Sequence, residues 1–134
     1  MKPAASKSRP AYRPVHLGRR SRRPCARVDR IPWSGGEVVV ELSCDEFTSL
    51  CPVTGQPDFG ALTIRYAPGK WLAESKSLKL YLWQYRERGI FNEELVAAMA
   101  DDLVGQLKPA WLEVCGRFKS RGGIAIAVTA RRPA

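Results

Sequence analysis

"EVVVELSCDEFTSLCPVTGQPDFGALTIRYAP", residues 37–68, sets two strand-like runs on either side of a stretch rich in proline and glycine. Residues 37–44 are β-branched and apolar and read as a strand. Residues 61–68 alternate Leu62, Ile64 and Tyr66 with Thr63 and Arg65, the pattern of a half-buried strand. Between them, Pro52, Gly55, Pro57 and Gly60 fix φ, remove donors or permit unusual dihedrals, so 45–60 reads as a shaped loop. That loop holds Cys51 and Asp58. A thiol held at a defined position is a candidate nucleophile, although a buried, inert thiol is the commoner fate of a free cysteine. Asp58, following a proline, could equally cap a turn. The loop by itself leaves both readings open.

Downstream the period changes. In "ESKSLKLYLWQYRER", from Glu74, Leu78, Leu82 and Tyr85 fall on one helical face with Tyr81 beside them, and Gly89 ends the helix. Asn92 is the expected N-cap of a second helix, striped by Leu95, Val96, Met99, Leu103 and Leu107 and stopped by Pro109. "WLEVCGRF" (111–118) and "GIAIAVTA" (123–130) read as two further strands joined by "KSRGG". The order ββααββ predicts an α+β domain in which an antiparallel sheet carries two helices. A body near 100 residues buries a marginal core, and open sheet edges want partners, so the expectation is a homo-oligomer.

The chain has 134 residues and a formal net charge of +9. Residues 1–30 hold ten Lys or Arg against the single acid Asp29, together with four prolines and no apolar period. They read as a basic, flexible tail ahead of a body spanning 31–134. The body carries twelve residues of each sign and is no basic platform, so direct nucleic-acid binding would rest on the tail alone. The tail lacks the apolar stretch of a secretory signal, and no run reaches the roughly 18 to 20 apolar residues of a membrane span. A cytoplasmic protein is expected. Cys25, Cys44, Cys51 and Cys115 form no CxxC pair, and the one histidine, His16, lies in the tail, which leaves a zinc site poorly supported.

"FTSLCPVTGQPDFG", "ESKSLKLYLWQYRERGIFNEEL" and "RGGI" at 121–124 together resemble the NADPH-dependent nitrile reductases of queuosine biosynthesis, the 7-cyano-7-deazaguanine reductases, over roughly residues 37–126. The resemblance implies the tunnelling fold, with copies closing into a barrel as a pentamer or decamer. It implies reduction of the nitrile to a primary amine with NADPH, through a covalent thioimide on the nucleophile matching Cys51. Asp58 matches the proton donor. Residues matching Ala73, Glu74, Ser75, Asn92 and Glu93 would contact substrate, and those matching Ser75, Lys76, Arg121 and Gly122 would contact NADPH.

Plain chemistry suits these assignments. A nitrile carbon is a modest electrophile that a thiolate can attack. The charge developing on nitrogen needs a nearby acid, and a carboxylate accepts paired N–H donors from a purine-like edge. For Glu74 and Glu93 the simpler reading is an acid favoured at a helix start. No GxGxxG follows a strand, so a Rossmann site is not expected. Many members carry His where this chain has Asn92, which can hydrogen-bond but cannot titrate. The rival readings are an amidinotransferase of the same fold acting on the same nitrile, a zinc-dependent GTP cyclohydrolase, and an RNA-binding module working through the tail.

Overall fold

The computed structural model describes residue 14 and residues 23–133; the rest of the basic tail lies outside the described residues. Eight elements follow in order: β1 (Arg30–Pro32), β2 (Val40–Leu50), β3 (Pro57–Ala67), β4 (Trp71–Ala73), α1 (Ser75–Trp83), α2 (Asn92–Leu107), β5 (Trp111–Arg121) and β6 (Ile124–Pro133). The expected ββααββ core is present as β2, β3, α1, α2, β5 and β6. Its strands form one antiparallel sheet in the order β2-β3-β5-β6. The short strands β1 and β4 pair with each other in a second, two-stranded sheet that the sequence pattern did not reveal.

One face of the large sheet packs on the helices. Leu62, Ile64 and Tyr66 from β3 and Leu112 and Val114 from β5 meet the α2 stripe Leu95, Val96, Met99, Leu103 and Leu107, all nearly inaccessible. The opposite face is polar. Facing pairs place Glu41, Arg65, Glu113 and Arg131 in one row across all four strands, alternating in sign. Arg65 lies 3.4 Å from Glu41 and Arg131 4.0 Å from Glu113. Ser43, Thr63, Cys115 and Thr129 form the next row on that face.

The strands run further than the pattern suggested. β2 continues through 45–50 and β3 starts at Pro57, so only residues 51–56 form the connection, not 45–60. The reason is a bulge: Cys44 pairs with Leu62 and Phe47 with Gly60, leaving Asp45 and Glu46 opposite Ala61 alone. The extra residue breaks the alternation by which a strand is recognised.

Residues 25–30, grouped with the tail on composition, run between the helices. Cys25 N donates to Leu80 O (3.2 Å), and Gln106 holds Val28 N at 2.8 Å and Ala26 O at 2.9 Å. Val28 and Asp29 are buried.

Candidate active site

The connection between β2 and β3 pins Cys51 by both backbone groups. Its N–H donates to Gln56 O at 2.8 Å, and its carbonyl accepts from Gly55 N at 2.9 Å. Gly55 sits at φ +70°, a left-handed turn position that side chains rarely adopt. Thr54 Oγ1 accepts from Gln56 N (3.3 Å), which leaves its own hydrogen for the cysteine sulfur. The Thr54 hydroxyl, then the Thr54 and Val53 backbone N–H groups, then the Arg121 side chain favour the thiolate against a slight opposing effect of burial. Together they lower the Cys51 pKa from 9.0 to about 6. At pH 7 roughly 90% of such a group is thiolate.

Asp58 is 6% exposed and begins the buried face of β3. The Arg121 guanidinium pairs with its Oδ1. Arg121 ends β5, and the turn beyond it is Gly122–Gly123, with φ +56° and +80°. Positive φ at both central residues matches the right-handed twist of the flanking strands, which is why two glycines stand there. The turn thus carries Arg121 to Asp58 and, through its side chain, to Cys51.

A third segment closes the site. Leu50 N donates to Arg88 O (3.1 Å) and Ile90 N to Leu50 O (3.2 Å), so residues 88–90 run along the end of β2. This delivers Asn92 and Glu93 to a pocket of about 240 Å³ that also contains Cys51, Asp58 and Arg121. Asn92 is not the cap of α2 but its first residue; Phe91 holds the cap position with no side-chain hydrogen bond. The docking of 88–90 on β2 starts the helix one residue earlier, in geometric terms, than capping chemistry suggests. Among the described residues, Ser49 Oγ and Asn92 Oδ1 are buried without a hydrogen bond, and Asp58 Oδ1 has the Arg121 guanidinium as its partner. Asn92 and Asp58 line the pocket, and Ser49 faces Asp58 across the β2–β3 ladder. Orphaned buried oxygens are uncommon in a folded protein and call for an explanation.

The remaining candidates sit elsewhere in the single chain. Glu74 caps α1: its Oε1 accepts from Lys76 N and its Oε2 from Ser77 N, each at 2.8 Å. Its own N–H donates to Asp29 O, and Ala73 N donates to the Tyr66 hydroxyl (2.9 Å). The carboxylate therefore takes two of the backbone donors at this helix start. Ser75, Lys79, Trp83 and Arg86 line a second groove of about 660 Å³ between α1 and β2. Ala73, Glu74, Ser75 and Lys76 are not among the lining of the Cys51 pocket. Sequence reasoning missed Thr54 and Ser49. Thr54, three residues after Cys51 in a turn, was detectable as a hydroxyl able to reach back; Ser49 was not, because its meaning depends on the ladder register.

The family model described as QueF-like protein matches residues 57–134. The chain belongs to the QueF-like family. A protein of Rhodopseudomonas palustris named NADPH-dependent 7-cyano-7-deazaguanine reductase is 50% identical over 105 residues, covering 77% of this chain and 66% of that protein. Proteins of the same name from Nitrobacter winogradskyi and Anaeromyxobacter dehalogenans are 46% and 49% identical. They cover 94% and 77% of this chain, and the chain spans 84% and 87% of their lengths. A crystal structure of the archaeosine synthase QueF-Like in the apo form superposes with a TM-score of 0.65 at 22% identity, covering 69% of this chain and 91% of its own. That likeness shows the fold, the α+β tunnelling fold that the ββααββ order and the resemblance predicted.

Proposed function

We propose that this chain reduces the nitrile of 7-cyano-7-deazaguanine to the primary amine with NADPH, a step toward queuosine in tRNA. The carrying observation is the Cys51 thiol, lowered to about 6, in one pocket with Asp58, Arg121, Asn92 and Glu93. In this reading the Cys51 thiolate attacks the nitrile carbon, the C≡N π pair moves to nitrogen, and nitrogen takes a proton from Asp58. The products are a thioimide on Cys51 and the Asp58 carboxylate. Splitting the reduction this way replaces one difficult step with easier ones. Glu93, exposed at the pocket wall, offers a carboxylate to the N–H donors of the heterocycle, and Asn92 Oδ1 offers a further acceptor. Phe59, Phe91, Ile124 and Ile126 give exposed apolar walls suited to a planar ring.

NADPH would supply hydride, two electrons at a time, so a nitrile consumes two. The residues present fit such a polyanion: Lys79 and Arg86 flank Trp83 in the larger groove with Ser75 at its edge, and Arg121 is half exposed beside Asp58. Lys76 and Gly122 belong to the same proposed cofactor contacts, and Ala73 and Glu74 to the substrate side. Glu74 serves there chiefly by fixing the start of α1.

The protein is proposed to act in the cytoplasm as a homo-oligomer, a pentamer or decamer, with the basic tail outside the chemistry and no direct nucleic-acid partner. Among the described residues no helix is long and apolar enough to cross a membrane. Open edges at β2 and β6 support the assembly. Incubating the full chain with 7-cyano-7-deazaguanine and NADPH, and following NADPH absorbance and product mass, tests this. Two NADPH consumed per amine formed supports it; no nitrile-dependent NADPH loss overturns it.

A further inference from the structure

Ser49 lies in β2 directly opposite Asp58 in β3. Facing residues in an antiparallel ladder share a face and hold their Cβ atoms about 4.5–5.5 Å apart. Ser49 is 0% exposed and Asp58 6%, so both side chains are shut in together. Yet Ser49 Oγ has no hydrogen-bond partner, while Asp58 is turned to the Arg121 guanidinium. A buried hydroxyl left unpaired costs about 1–3 kcal/mol, which alanine at the same site would avoid. A ligand cannot reach a hydroxyl with no exposed surface. Its ladder partner Asp58 carries a carboxyl on the same face that can satisfy it, in an arrangement other than the one paired with Arg121.

We propose that Ser49 is the positioning residue of Asp58 in the working state, and that Arg121 and Ser49 hold this carboxyl in turn. With the pocket empty, Arg121 keeps Asp58 as a carboxylate turned toward the hairpin. When Arg121, half exposed at the strand end, turns to an anionic ligand, Asp58 is released, takes up a proton from solvent and, as the neutral acid, accepts from Ser49 Oγ–H through its carbonyl oxygen. The acid's own O–H is then aimed away from Ser49, toward the pocket that holds Cys51. As Cys51 Sγ bonds to the nitrile carbon, the proton passes from Asp58 to the nitrile nitrogen. The Ser49 hydrogen bond strengthens as Asp58 becomes a carboxylate, so it acts on the transition state more than on the bound ground state. This rests on the nitrile-reductase reading, which wild-type turnover tests separately.

The test is a double-mutant cycle between Ser49→Ala and Asp58→Asn in the full chain, read by steady-state kinetics and by single-turnover adduct formation. Ser49→Ala should lower kcat about tenfold, one hydrogen bond's worth, with KM for the nitrile within twofold. Its thermal midpoint should not fall, since an orphan hydroxyl has been removed. Adding Ser49→Ala to Asp58→Asn should cost nothing further, because Ser49 acts only through the acid. If wild type reduces the nitrile and Ser49→Ala keeps its kcat within twofold, the proposal fails while the reductase reading stands. It also fails if the two losses multiply independently, or if Ser49→Ala loses activity only in step with its stability. If wild type itself leaves the nitrile untouched, the reductase reading falls, and this inference with it.

Discussion

Cys51 is made reactive by its immediate neighbours in the chain, because three of the four groups that favour its thiolate lie at positions 53 and 54. Thr54 is the largest of them and spends no proton elsewhere, since Oγ1 accepts from Gln56 N. Replacing it by valine keeps shape and branching but removes the donor. Thr54→Val should therefore move the pH midpoint of Cys51 alkylation upward from about 6 toward 9.0. The sign follows from the state that is favoured: the hydroxyl stabilises thiolate, so its loss makes the thiol hold its proton to higher pH. In wild type, alkylation should be fast above about pH 6 and fall below it. An unchanged midpoint in Thr54→Val, measured by iodoacetamide labelling across pH, would show that the backbone N–H groups suffice.

At the scale of elements, the site is assembled by strand register and helix starts. α1 begins where Glu74 satisfies two of its first N–H groups, while Ser77 Oγ donates to Glu74 O and accepts from Asp29 N at 2.8 Å. Loss of such a cap costs about 1 kcal/mol, so Glu74→Ala should lower the thermal midpoint by about 4–8 °C for a domain of this size. A scanning-calorimetry midpoint unchanged in Glu74→Ala would remove the capping role. Much at this scale was legible beforehand. The stripe from Leu95 to Leu107 is buried as its spacing predicts, and the alternation in β3 gives the correct inward set. The rest was hidden for physical reasons. The bulge at Asp45–Glu46 masks half of β2, and β1 and β4 are three residues each, meaningful only once distant chain segments meet. Asn92 looks like a cap by residue type, but pairing of Leu50 with residues 88–90 decides where α2 begins. Of the candidate residues, the structure gathers Cys51, Asp58, Asn92, Glu93 and Arg121 in one pocket, whereas Ser75 lines another. Sequence motifs name residues without saying which cavity each one faces.

Across the whole molecule the polar face of the sheet carries a row that starts with Glu41 on edge strand β2 and ends with Arg131 on edge strand β6. Each of its surface pairs contributes little to stability, about 0–1 kcal/mol, so the alternation is better suited to choosing partners than to holding one chain folded. A second copy offering β6 to β2 would be antiparallel, like every other neighbour in this sheet, and would continue the alternation with Arg131 against Glu41. Reversing one sign, as in Glu41→Arg, should weaken the proposed homo-oligomer by roughly tenfold at low salt. Combining it with Arg131→Glu should restore much of that loss. Light scattering that finds assembly indifferent to both changes would remove the row from the interface.

The most direct measurement is the intact mass of the chain after mixing with 7-cyano-7-deazaguanine in the absence of NADPH. Addition of a thiolate to a nitrile expels no leaving group, so the account predicts a gain equal to the whole substrate mass, lost in Cys51→Ala and retained in Cys44→Ala and Cys115→Ala. An unmodified wild-type chain, or the same gain in Cys51→Ala, would contradict it.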